Sequence, residues 1–175
     1  MNEEERYELF IASWLHDCGK VATPPHIVDK GMKLETITDR IEVMETRFEV
    51  LKRDVEIEFL KKQIKWLKNK TKNGLLTKAE SNLKAAIKQL NDDQAFIRKT
   101  NHGGEFMDVN DQKRVASIGN YKWTLNGKKI NFLNKKDVQN LQIPKGTLLP
   151  EEREIINDHI VITIDMLEKL PYPKH

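Results

Sequence analysis

Between Leu34 and Val55, apolar residues recur at alternating three- and four-residue steps: Leu34, Ile37, Ile41, Met44, Phe48, Leu51 and Val55. A seam this narrow is a heptad pattern, and it commits the segment to a helix that must lay the stripe against another helix. After a slip of phase, Leu60, Ile64 and Leu67 resume the seam, and Asn73-Gly74 supplies a stop signal. One helix over residues 34–69 would be about 54 Å long at about 1.5 Å per residue. A second helix is predicted from Thr77, where Thr77-Lys78-Ala79-Glu80 has the form of a capping box, through Leu83, Ala86, Ile87, Leu90 and Ile97. Two helices joined by a short Gly turn form an antiparallel hairpin. Its stripes can serve each other and also another chain, so a homodimer through the hairpin is an open expectation.

The flanks carry shorter signals. Glu3, Glu4 and Glu5 suit a helix N-terminus, and Leu9, Phe10, Ala12, Trp14 and Leu15 follow at helical spacing. This first helix should end at Cys18-Gly19, with Gly19 as a left-handed terminator, so that His16 and Asp17 lie in its last turn. Thr23-Pro24-Pro25 cannot be helix interior. Residues 101–146 are punctuated by glycines and Pro144, which predicts loops and short helices. Within them Asn126-Gly127 predicts a small β-hairpin near 121–133. Pro150-Glu151-Glu152 opens a last helix of about twenty residues, stopped by Pro171 and Pro173. On it Glu152, Ile155, Ile156, His159, Ile162, Thr163 and Met166 share one face, so His159 emerges from a mostly apolar stripe.

Composition limits the class. The 175 residues include one Cys, which excludes an internal disulfide and a thiolate zinc cluster and reads as a reduced, cytoplasmic protein. No apolar run approaches the roughly 20 residues of a membrane span, and no signal peptide is visible. Residues 52–99 hold 13 basic and six acidic side chains, a net +7, against 17 and 21 elsewhere, a net −4. A basic middle can steer an anionic partner, but these lysines alternate with apolar residues as on a solvated helix face. No nucleic-acid reading motif accompanies them, and neither DNA nor RNA is expected as a partner.

His16-Asp17, followed by Lys20, is the group that can carry chemistry. A neutral imidazole and a carboxylate are both ligands for a divalent transition metal, and at a helix end they point to one place beyond it. His159 could add a third ligand from the bundle interior, and Lys20 could set its ammonium against a metal-held phosphate. The plainer alternatives stand beside this: a His near a helix C-terminus favours the dipole, and a His on an apolar face is ordinarily a satisfied core residue. His26 and His102 lie in loop-like sequence and should face solvent, and Cys18 should be packed rather than reactive.

The stretch Trp14-Leu15-His16-Asp17-Cys18-Gly19-Lys20-Val21 resembles the HD signature of metal-dependent phosphohydrolases. Residues 23–30 (TPPHIVDK), Lys33-Leu34-Glu35, 101–107 (NHGGEFM) and 146–170 are similar to a subgroup of the HD-GYP branch, the bacterial cyclic-di-GMP phosphodiesterases, in which a long helical insertion separates HD from the next histidine. The resemblance covers nearly the whole chain. It implies an all-α fold: residues 1–33 and 147–175 as an incomplete HD-domain bundle, residues 34–100 as an inserted helical hairpin, and residues 101–146 as an irregular connection. It implies His16, Asp17 and His159 as metal ligands, Lys20 as a phosphate contact, two or three iron or manganese ions, and a cyclic dinucleotide as substrate.

The family's upstream ligand helix, its His-His-Glu motif and its Gly-Tyr-Pro signature are missing from this sequence, so the resemblance implies an excised piece with little activity of its own. Leu149 stands at the expected N-cap where the family usually has Thr, a difference of about 1 kcal/mol in helix stability. The rival expectation is a non-catalytic helical interaction or dimerisation module with a structural HD remnant.

Overall fold

The computed structural model describes residues 1–69 and 74–170. The helices are α1 (Glu3–Leu15), α2 (Pro25–Val28), α3 (Ile41–Lys68), α4 (Gly74–Asn101), α5 (Val109–Gly119), α6 (Lys135–Leu141), α7 (Pro150–Asn157) and α8 (His159–Glu168), with a 3-10 turn at Cys18–Ala22. Strands β1 (Lys122–Leu125) and β2 (Lys128–Asn131) form the single antiparallel ribbon among the described residues. The fold is therefore all-α with one small β-hairpin. The chain divides into two compact units, one of residues 1–31 and 148–175, the other of residues 32–147. Residues 101–146 thus pack with the helical hairpin. Among the described residues no helix is long and apolar enough to cross a membrane.

In the second unit α3 and α4 pair along Met44, Phe48, Leu51, Leu90 and Ile97, all buried. Two departures from the sequence pattern have local causes. Residues 34–40 are not helical: the Leu34 amide donates to Asn101 Oδ1 (2.8 Å), Asn101 Nδ2 to Asp39 Oδ2 (2.8 Å), and Glu35 bridges Asp39. The Leu34 carbonyl, which a helix would offer to the Thr38 amide, instead accepts from Arg40 Nε (3.2 Å), the Thr36 amide donates to the Thr38 carbonyl (3.3 Å), and α3 starts only at Ile41, whose amide meets Asp39 Oδ1. At the other end α4 begins at Gly74, a turn before the Thr77 capping box. Leu75 and Leu76 are good helix formers, so Thr77 is simply helix interior. The predicted stop at Asn73 lies outside the described residues.

The connection after α4 is ordered by buried polar groups. Phe132 stacks on Phe48 (centroids 4.5 Å apart), with Val115, Ile118, Leu133 and Leu141 closing the core. Asp137, fully buried, caps α6 through Asn134 and faces Arg40 (2.7 Å). Lys33, also buried, donates to the carbonyls of Leu141, the last residue of α6, and Ile143 just beyond it, and the desolvation of its ammonium lowers its pKa. The β-hairpin turns at Asn126 and Gly127, both at positive φ, the type I′ geometry that Asn-Gly favours.

Asp93 is the most heavily bonded of these groups. Its carboxylate accepts from Arg114 Nη2 (2.8 Å) and Nε (3.1 Å), Tyr121 Oη (2.7 Å) and Gln89 Nε2 (3.1 Å). Burial first, and then the bond to Asp93, push the Tyr121 phenol up to about 12 from 10.0. A raised folded-state value means that the contribution is fully present below the unfolded value and is lost as pH climbs through the folded one. Tyr121→Phe should therefore lower the urea midpoint at about pH 8 by more than at about pH 11.5. Equal losses at the two pH values would remove the phenol proton from the account.

Candidate metal centre

In the first unit the chain leaves α1 at Leu15, with His16 as its C-cap, and enters the 3-10 turn through Asp17. His16 and Asp17 thus follow the last helical turn rather than occupy it. Gly19 is not in the left-handed region; the described glycines that are include Gly103, Gly127 and Gly146. Its role is close approach. A Cβ on Gly19 would lie 2.2 Å from the His159 carbonyl oxygen and 2.6 Å from the Thr163 amide nitrogen, so only Gly lets the turn lie against α8. The Gly19 amide donates to the buried Thr163 Oγ1 (2.9 Å), which fastens the contact.

The last helical stretch is interrupted once, at Asp158, between α7 and α8. At this joint the His159 Nδ1 bonds the Ile156 carbonyl, a side chain taking a helical acceptor. The face predicted from sequence is covered in part: Thr163 is buried and Glu152, Ile156, His159 and Ile162 are half-buried, whereas Ile155 and Met166 are exposed. Lys30 and Glu152 form an ion pair with contacts of 3.0 and 2.7 Å, the lysine side chain being almost wholly buried. Glu152 also accepts the Leu149 amide (2.9 Å), the half of a capping box that does not depend on the cap side chain, while Leu149 itself makes no side-chain cap bond to α7. The apolar side of α1 is uncovered, Leu9, Phe10 and Trp14 all being exposed.

This packing brings His16, Asp17, Lys20 and His159 together. His16 Nε2 is 3.2 Å from Asp17 Oδ2, and His159 Nε2 is 3.4 Å from Asp17 Oδ1. Lys20 Nζ donates to Asp17 Oδ2 at 2.6 Å. His16 Nδ1 lies 2.8 Å from the Ser13 carbonyl, as His159 Nδ1 faces the Ile156 carbonyl. Since a carbonyl only accepts, both Nδ1 atoms carry hydrogen and donate, the arrangement that orients an imidazole to offer Nε2.

The bond from Lys20 holds the Asp17 carboxyl below its ordinary 3.8; partial desolvation opposes this, and the charges of His16, Lys20 and His159 add to the lowering. The donor types suit a divalent transition metal. Their spacing is that of hydrogen-bonded contact, and among the described residues no group of three or more His, Cys, Asp or Glu side chains is arranged as a ligand shell.

Sequence reasoning missed Thr163 as the partner of the Gly19 amide and the pairing of Lys30 with Glu152. A Thr four residues after His159, one turn further along α8, was the available signal for the first. His26 and His102 are exposed, Cys18 is half-buried, and His175 lies outside the described residues. Comparison with protein-family models, curated proteins and solved structures found no match.

Two outcomes follow. Gly19→Ala should cost about 3 kcal/mol in denaturant unfolding, because backbone rather than a movable side chain blocks the methyl, and should abolish nuclear Overhauser contacts between His159 and Asp17. Retention of those contacts at wild-type stability would disprove the close-approach argument. Lys20→Met should raise the carboxyl midpoint of Asp17 toward 3.8 in a carbon-13 titration. With a depressed folded value, the pairing is present above 3.8 and is lost as pH falls through the lower midpoint.

Proposed function

We propose that His16, Asp17 and His159 hold a divalent metal and that the protein to which this chain belongs hydrolyses a phosphodiester, on the resemblance a cyclic dinucleotide of the cyclic-di-GMP type. One observation carries the reading. Both imidazoles donate Nδ1–H to carbonyls, so the Nε2 of each ring is directed at an oxygen of one carboxylate, and in a neutral ring that nitrogen offers its lone pair. A proton on each Nε2 makes these contacts hydrogen bonds, and a divalent cation that displaces those protons would be shared by all three side chains at once. When bound, the metal supplies Lewis-acid chemistry: it neutralises charge on the phosphate and makes water more acidic.

The chain's own residues do the rest. The Ser13 and Ile156 carbonyls hold the two rings in orientation, and the Gly19–Thr163 contact keeps His159 over Asp17. Lys20, its side chain 43% exposed, already donates to Asp17 and can turn a further N–H toward a phosphate oxygen. Iron or manganese is the expected ion, and three protein ligands are fewer than a two- or three-ion cluster requires. These 175 residues alone should therefore bind metal weakly and turn over slowly.

The test is titration calorimetry with manganese, together with cyclic-di-GMP hydrolysis followed by chromatography. Asp17→Ala and His159→Ala should each weaken manganese binding by about 10- to 100-fold while leaving the far-ultraviolet circular dichroism unchanged. Manganese affinity indifferent to both substitutions would end the metal reading and favour the helical interaction module, which the uncovered apolar face of α3 supports.

A further inference from the structure

After the slip of phase, the apolar residues of α3 do not continue toward α4. The side turned to α4 passes from Val55 to Phe59 and Trp66, which line a groove with Leu83 and Ala86. Ile57, Leu60, Ile64 and Leu67 are left on the opposite side, 45%, 51%, 53% and 67% exposed. No such stripe exists on α4: none of its described residues is a large exposed hydrophobic. The uncovered apolar line thus belongs to one helix alone.

We propose that this line is a docking surface for a second copy of the chain, forming a parallel two-stranded coil between the outer halves of two α3 helices. Three features select that occupant. The spacing is three, four, three, with β-branched Ile57 and Ile64 at one heptad position and Leu60 and Leu67 at the other, the combination that favours two parallel strands. The flanking charges complement themselves: in a parallel pair Glu56 meets Lys61 of the second copy, and two-fold symmetry makes that contact twice. Reversing the second helix about this stretch would set Lys61 against its own copy. Finally, the line ends where it should. Arg53 places a charge at the next seam position, and there β1 stands beside α3, Asp54 accepting the Thr124 amide at 3.4 Å.

Sedimentation equilibrium of the whole chain over about 5 to 500 μM tests the association. The expected result is a monomer–dimer equilibrium whose dissociation constant rises about 100-fold in Leu60→Glu, since like charges would then oppose each other in the seam. Leu60 is half exposed, so unchanged circular dichroism will show that the fold survives. Lys61→Glu should weaken the dimer, and adding Glu56→Lys should restore it. In a Cys18→Ser background, Leu60→Cys should form a disulfide-linked dimer under mild oxidation, because parallel strands bring that position onto itself. A monomer at every concentration overturns the proposal. So does a dimer indifferent to Leu60→Glu, or one that Leu60→Cys does not cross-link.

Discussion

The approach of Gly19 to α8 is the constraint on which the candidate site rests. A backbone amide there touches the first turns of another helix with no side chain between, and a single hydrogen bond to Thr163 holds it. Everything chemical follows from that proximity: Asp17, two residues before Gly19, and His159, four before Thr163, come within 3.4 Å of one another. The polar residues alone would not produce it. A buried amide without Thr163 would carry a desolvation cost of about 1–3 kcal/mol, so the contact is made by shape and kept by satisfied hydrogen bonding.

The second unit shows how polar side chains can organise an apolar core. Asp93, Asn101, Asp137 and Lys33 are buried, and each ties a segment lacking long helices to the hairpin or to α6. Isolated, each would be expensive to bury; bonded to several partners, they set register where apolar contacts alone are indifferent. Asn101 is the clearest case. Its side chain holds the Leu34 amide at one end of residues 34–39 and the Asp39 carboxylate at the other, and in that non-helical segment Leu34 is buried while Ile37 points to solvent.

The two apolar faces of α3 illustrate a limit of pattern reading. Drift between a heptad and a helix of 3.6 residues per turn is only about 20° per heptad, whereas the five-residue step from Val55 to Leu60 carries the stripe about 140° around the axis. Met44, Phe48, Leu51 and Val55 follow one face, and Phe59 and Trp66 extend it. Leu60, Ile64 and Leu67 resume the three-four spacing after that slip of phase but lie on the other side of the helix.

Much of the architecture was legible without coordinates. The helical hairpin, the β-turn at Asn126-Gly127 and the start of the last helix at Pro150 all arise from interactions within a few residues: apolar periodicity, a positive-φ dipeptide, a missing amide hydrogen. His16, Asp17 and Lys20 were visible because they are neighbours in the chain. Only the tertiary structure decided that Gly19 is a contact point rather than a helix terminator, that Asn101 binds Leu34 and Asp39 in a non-helical segment, and that His159 meets Asp17. These outcomes depend on groups between 62 and 144 residues apart, whose encounter is set by packing of whole elements. Local sequence rules weigh each residue against its near neighbours, and such distances lie beyond their reach.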